Sequence, residues 1–236
     1  MGLTHSPSIV TDGLVYCVDP ANVRSYPGTG TTLTDLKGSN NGTLTNGPTF
    51  SSDNRGVFTL DGTDDYIAVA DSSENFTFAN GNFSVGGWAA TNSDNVTAYV
   101  LNKGVNADGG GWILTLSNSL VQWFRYYFDG SSVNQNVSYS HSLTGWTYIL
   151  ATCDTSGAAG DMKIYVNGSL ATTGSFSEIK TSVSNTNALE SGRLNIYGGL
   201  SIVYGGGERG TAHIYNKVLT ADEVMQNYEA TVGRYT

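Results

Sequence analysis

The stretch Val57-Phe-Thr-Leu-Asp-Gly-Thr-Asp-Asp-Tyr-Ile-Ala-Val69 decides the fold. Phe58 and Leu60 alternate with Thr59, and Tyr66 to Val69 resume an extended pattern, so two strands flank a tight acidic connection that contains Asp61-Gly62. The spacing predicts a β-hairpin. Asp61, Asp64 and Asp65 crowd its turn, and carboxylates this close repel one another unless they face water, accept backbone N–H bonds or share a cation. The turn therefore has two readings: a calcium site, or a hydrated turn whose Asp side chains bond the backbone.

The same extended pattern continues on both sides. Leu14 to Val18 reads as the first strand, ended by Asp19-Pro20, and residues 20–54 read as an ordered excursion with short strands. Phe83 to Ala89 has apolar spacing of period two, with a bulge expected at Gly86-Gly87 before Trp88. Tyr99–Leu101, Trp112–Leu116, Leu120–Phe128, Trp146–Cys153, Met162–Val166 and Thr211–Tyr215 follow as strands, with Asn167-Gly168 as a hairpin signal. Residues 171–192 are polar and carry no readable pattern. One helix is expected over Ala221–Glu229, because Thr220-Ala-Asp-Glu223 is a capping box and Leu219 is placed to staple against Val224. Val224, Met225 and Tyr228 are its expected packing face.

Composition agrees with many short strands. Of 236 residues 30 are Gly and 13% are charged, too little charge for a disordered chain. The expected organisation is an arm over residues 1–8 followed by one domain over 9–236. Eleven basic against 20 acidic residues give a net charge of -9, which opposes a phosphate backbone and excludes nucleic acid as the expected partner. Cys17 and Cys153 lack metal-ligand spacing and are expected to be free and buried. Met1 to Ser8 is polar, so neither a leader peptide nor a membrane span is expected, and synthesis is assigned to a cytoplasm.

Catalytic signatures are missing from the sequence. His5, His141 and His213 are scattered, and neither His-Glu-x-x-His nor Gly-x-Ser-x-Gly occurs. Gly205 to Gly210 matches Gly-x-Gly-x-x-Gly, but a strand follows it where a dinucleotide site needs a helix. Binding chemistry is better supplied. Trp112, Trp123, Phe124, Arg125, Tyr126, Tyr127, Phe128 and Tyr139 concentrate rings that can stack on the apolar face of a pyranose. Alternation divides the strand into Val121, Trp123, Arg125, Tyr127 and Gln122, Phe124, Tyr126, Phe128. One set faces the core, and the sequence leaves open which. Trp112, Trp123, Arg125, Tyr126, Tyr127 and Tyr139 are the candidates for a glycan site or a subunit contact.

Phe-x-Leu-Asp-Gly-x-Asp-Asp-Tyr-Ile-x-Val, with Gly13 to Asn22, Trp146 to Gly168 and Ile214 to Tyr235 in the same order, resembles the concanavalin A-like, laminin-G-like jelly rolls. The version carrying Asn41-Gly-Thr-Leu-Thr-Asn-Gly-Pro48 and Gly233-Arg-Tyr235 is similar to copies in tailed bacteriophages. The resemblance implies an all-β, two-sheet antiparallel jelly-roll sandwich with one short C-terminal helix. Some relatives are glucanases with nucleophile and acid on one strand in a Glu-x-Asp-x-(x)-Glu pattern, which the six Glu of this chain never form. Others hold calcium through positions equivalent to Asp61, Asp64 and Asp65 and a carboxylate just before the strand equivalent to Thr211–Tyr215, where this chain has Gly210. The expected function is a non-enzymatic virion surface protein, a capsid decoration or fibre component, with weak glycan binding for host attachment; a dedicated lectin module and a glycan hydrolase are the alternatives. Expected partners are other virion proteins, a cell-surface glycan and further copies of the chain, as trimers by analogy with capsid symmetry.

Overall fold

The computed structural model describes residues 7–71, 75–78, 81–91, 97–104, 110–128, 132–156, 160–176, 185–196 and 201–236. In chain order the strands are β1 Leu14–Val18, β2 Thr32–Leu33, β3 Gly42–Thr45, β4 Thr49–Ser51, β5 Val57–Leu60, β6 Tyr66–Val69, β7 Phe83–Ala90, β8 Ala98–Asn102 and β9 Gly111–Leu116. They continue as β10 Leu120–Phe128, β11 Ser132–Ser140, β12 Thr147–Asp154, β13 Gly160–Val166, β14 Ser169–Phe176, β15 Leu189–Ser191, β16 Arg193–Ile196, β17 Ser201–Tyr204 and β18 Gly207–Tyr215, and one helix, α1, spans Ala221–Thr231.

Two antiparallel sheets form a sandwich. The first runs β14-β13-β12-β7-β18-β5-β4, with β1 also paired to β18, and the second runs β11-β10-β9-β8-β15-β6-β3-β2. Alternation sends Phe58, Leu60, Phe83, Val85, Ile149 and Ile164 inward from the first sheet. Leu44, Ile67, Val69, Leu114, Val121 and Trp123 meet them from the second. Each large side chain fully buried in this way contributes about 1.5–3 kcal/mol against the entropy of ordering the chain. Cys153 joins this core and both cysteines are free and buried.

A second apolar layer covers the outer face of the first sheet, where Trp88, Tyr148, Leu150 and Tyr215 pack under Val224 of α1 and Tyr235. The Trp88 indole donates to the Thr231 hydroxyl at 2.8 Å and stacks on Tyr235 with 4.3 Å between ring centroids. The capping box is formed, with the Thr220 hydroxyl accepting from the Glu223 N–H and the Glu223 carboxylate accepting from the Thr220 N–H. Of the expected arm, residues 1–6 lie outside the described residues; next to them the Ser8 carbonyl accepts from Gln226 on α1 and the Val10 N–H donates to Asn227.

Three local expectations are corrected. β5 and β6 are not a hairpin: β5 pairs with β4 and β18 in the first sheet, whereas β6 pairs with β3 and β15 in the second. Residues 61–65 therefore arch from one sheet to the other. Phe58 and Leu60 face Ile67 and Val69 across the core, a relation that inward alternation permits as readily as a hairpin does. The bulge lies on β18 between Arg209 and Ala212 rather than on β7. Gly86 and Gly87 instead serve close approach, since a Cβ would sit 2.3 Å from the Ile149 carbonyl oxygen and 2.3 Å from that of Thr211. Finally, the patternless region begins inside β14, an edge strand with mostly exposed or half-exposed residues, and ends in β15. Edge strands need no apolar alternation.

Candidate functional site

Register decides which aromatic residues reach solvent. On β10, Val121 and Trp123 belong to the core, so Gln122, Phe124 and Tyr126 stand on the outer face of the second sheet. Trp123 is fully buried, its indole donating to the Thr152 carbonyl at 3.2 Å. Arg125 is also fully buried: its guanidinium donates to the carbonyls of Thr77 and Phe78 and lies 5.0 Å from the Phe83 ring centroid. Trp112 is fully buried on β9, where it donates to the Phe76 carbonyl at 2.8 Å. These three candidates cannot offer a ring face or a charge to a ligand at the surface; Trp112 and Arg125 tie the core to residues 76–78, and Trp123 ties β10 to β12. Tyr139 is paired with core-facing Val121 and is half-buried on the inner side of the edge strand, its ring 6.4 Å from that of His141. The side chain of Tyr127 lies outside the described residues.

Tyr126 is the candidate that the structure leaves on the outer face, joined there by Phe124. Their rings stack with 6.0 Å between centroids and 21° between planes, and both rest against Ile113 and Leu194. Polar residues flank them in register: Gln122 opposite Ser138 and Thr115, and Phe124 opposite Asn136. Ser138 and Asn136 are exposed. On the other side of Tyr126 its partner is Gly111, a position that admits no side chain because a Cβ would lie 2.2 Å from the Gly104 carbonyl oxygen. The face thus offers an aromatic surface about two residues long, bordered by hydroxyls and amides.

The hairpin β16–β17 brings Leu194 onto this face. Arg193 at its start pairs with buried Glu190 and lies over the Tyr66 ring, 3.6 Å from the centroid. Burial raises the Glu190 pKa against the pull of Arg193. Asn102 donates to the carbonyls of Arg193 and Glu190 at 2.7 and 3.2 Å, which fixes the base of the hairpin. Sequence patterning does not find Leu194 or Ile113, because the signal that joins them is pairing across the sheet. The Glu190 carboxylate accepts from Arg193 and that of Glu223 from Lys217 and the Thr220 N–H, so both have structural roles here.

Asp61, Asp64 and Asp65 do converge, with one carboxylate oxygen of each within 4.8 Å of the others. Carboxylates are suitable donors for calcium. The turn already uses them, however: one Asp61 oxygen accepts the N–H groups of Thr63, Asp64 and Asp65 at 2.8, 3.3 and 3.4 Å, and Asp65 accepts the Asp61 N–H at 3.1 Å. These backbone bonds lower the Asp61 pKa, whereas burial, followed by repulsion from Asp61 and Asp64, raises that of Asp65. Behind the turn, buried Arg209 donates to the carbonyl of Gly206, whose backbone packs on Gly62. Backbone bonding accounts for the placing of the Asp61 and Asp65 carboxylates.

Gly205 to Gly210 leads into β18, not a helix, so it is no dinucleotide turn. No helix among the described residues is long and apolar enough to cross a membrane.

No curated protein sequence matches the chain. Among solved structures it is similar to the binding domain of botulinum neurotoxin serotype D, at TM-score 0.68 and 18% identity over 94% of this chain and 52% of that one. It is also similar to a structure described by the dependence of botulinum neurotoxin type C entry on two ganglioside molecules, at TM-score 0.66 and 15% identity over 93% and 51% of the two chains. A third is the binding domain of botulinum neurotoxin DC in complex with SialylT, at TM-score 0.67 and 14% identity over 93% and 52%. The chain spans about half the length of these structures, and the likeness is one of fold. Residues 61–225, well over half of the chain and including the arch, β10 and β18, match a family model, and the chain belongs to the concanavalin A-like lectin/glucanases superfamily.

Proposed function

We propose that this chain is a non-enzymatic surface protein of a tailed-phage particle, a capsid decoration or fibre component, that attaches weakly to host glycans through the outer face of its second sheet. The observation that carries the glycan reading is the stacked pair Phe124 and Tyr126 bordered by Gln122, Asn136 and Ser138. Flat rings beside hydroxyls and amides suit the apolar face and the hydroxyls of a sugar. The fold neighbours described with gangliosides and SialylT support the same reading at the level of the fold. The phage setting is supported by the resemblance of Asn41 to Pro48 and Gly233 to Tyr235 to phage copies, and the non-enzymatic reading by the lack of a Glu-x-Asp-x-(x)-Glu cluster. A single shallow face binds weakly, so useful attachment comes from many copies on one particle. Trimeric assembly and a virion location are parts of this proposal; at Asp61, Asp64 and Asp65 it takes the hydrated turn, whose side chains bond the backbone, over calcium.

Particles lacking the gene provide the test. They should assemble and adsorb to cells more slowly than intact particles. Loss of particle formation, or absence of the protein from purified virions, overturns the virion reading. Glycan binding by a protein absent from virions assigns the same face to a dedicated lectin instead.

A further inference from the structure

A second polar concavity lies on the other side of the molecule, outside the first sheet. β1 and β18 are paired with Cys17 opposite His213, so the two side chains share the face that α1 partly covers. His213 is fully buried, yet neither of its ring nitrogens has a hydrogen-bond partner. A buried imidazole without partners is unusual and calls for an occupant beside it. His213 lines a cleft of about 370 Å3 formed by β1, β18, the end of α1 and residues 7–9. That volume lies within the range of roughly 300–1,000 Å3 found for small-molecule sites.

The lining fixes the chemistry of the occupant. Asp19 and Arg234 are paired at 2.8 Å, and Arg234 also donates to the Thr211 hydroxyl, so the charges of the wall cancel. Burial lowers the His213 pKa to about 4, which leaves a neutral ring offering one donor and one acceptor. Asn22 adds an amide, while Ile9, Leu36 and Ala230 supply apolar wall. An anion would meet Asp19, and a cation Arg234. A metal ion is poorly served: Cys17, Asp19 and His213 do not bring ligand atoms within 4.8 Å of one another as the aspartates of the arch do, and burial pushes the Cys17 thiol up to about 12.

We infer that this cleft is a ligand site for a small uncharged polyol of monosaccharide size, held by His213, Thr211 and the Asp19–Arg234 pair. It stands independently of the outer face that carries Phe124 and Tyr126. The test follows the His213 ring signals by NMR while D-glucose, D-galactose, D-xylose and glycerol are added in turn, with sodium acetate and sodium phosphate as charged controls. At least one polyol should shift the ring signals saturably. Ala230→Trp, which fills the cleft, should abolish the shift, and Tyr126→Ala should leave it unchanged. If Ala230→Trp disturbs α1, His213→Leu decides: it leaves no buried nitrogen behind, and the polyol-induced shift of the Thr211 and Arg234 amides should vanish with the fold intact. The proposal is overturned if no polyol gives a saturable shift, so that water alone fills the cleft, if only acetate or phosphate does, or if the shift survives both variants.

Discussion

Phe124 and Tyr126 stand two residues apart on β10 and stack with 6.0 Å between ring centroids on the outer face of the second sheet, while Arg125 between them is fully buried against Phe83. One strand therefore separates two kinds of aromatic neighbour with different consequences for substitution.

Tyr126→Ala and Phe124→Ala should each weaken glycan binding by about 1 kcal/mol, roughly fivefold, with little change in melting temperature. Trp123→Ala on the opposite face should cost about 3–5 kcal/mol of stability instead, because it empties a fully packed site. Glycan-array binding read beside thermal melts checks both. Equal binding by wild type and both outer-face variants would remove this face from consideration.

What the sequence makes legible follows from the range of each signal. The capping box is local, and Thr220 to Glu223 defines the start of α1 to the residue. Alternation on β10 is also local, but it cannot say which set faces inward; that depends on Val121 and Trp123 meeting the first sheet across the core. The connection at Asp61 to Asp65 reads as a hairpin because a tight acidic turn between two alternating strands looks the same whether the second strand pairs beside the first or crosses to face it. Trp112 and Arg125 are attractive as binding residues on composition, yet their polar atoms bond backbone carbonyls of residues 76–78, contacts between segments distant in sequence.

Thr220→Ala should destabilise the protein by about 1 kcal/mol, since it removes the acceptor of the Glu223 N–H while α1 remains held by Trp88 and Tyr235. Urea denaturation should show a lower midpoint and an unchanged slope. An unchanged midpoint would mean that the cap contributes nothing to the docked helix.

For the acidic arch, Asp61→Ala should lower the melting temperature by the same amount in calcium and in chelator, because Asp61 acts by accepting three backbone N–H groups. Wild type should melt at the same temperature in both media. A wild-type melt that rises with calcium and falls with chelator would assign the arch to the metal, since an ion bound only by the folded state adds stability by mass action.

His213 gives a pH dependence whose sign can be derived. Its pKa is lowered by burial from the ordinary 6.5 to about 4; the nearby Asp19 charge opposes this shift and that of Arg234 adds to it. Between these two values the unfolded chain binds a proton that the folded chain excludes, so stability rises with pH across the window and is lost as pH falls through it. The wild-type protein should therefore lose stability from about pH 6.5 downward with a slope approaching one proton. Asp61, whose pKa is lowered below the ordinary 3.8, loses its contribution at lower pH, whereas Glu190, Glu208 and Asp65, whose pKa values burial raises, act with the opposite sign in wild type and variant alike, so the difference between the two profiles reports His213. His213→Leu removes the titrating group and should take its contribution out of the slope between about 4 and 6.5. Urea denaturation of both proteins at several pH values reads the difference directly, and parallel slopes would show that the His213 ring takes up its proton in the folded state.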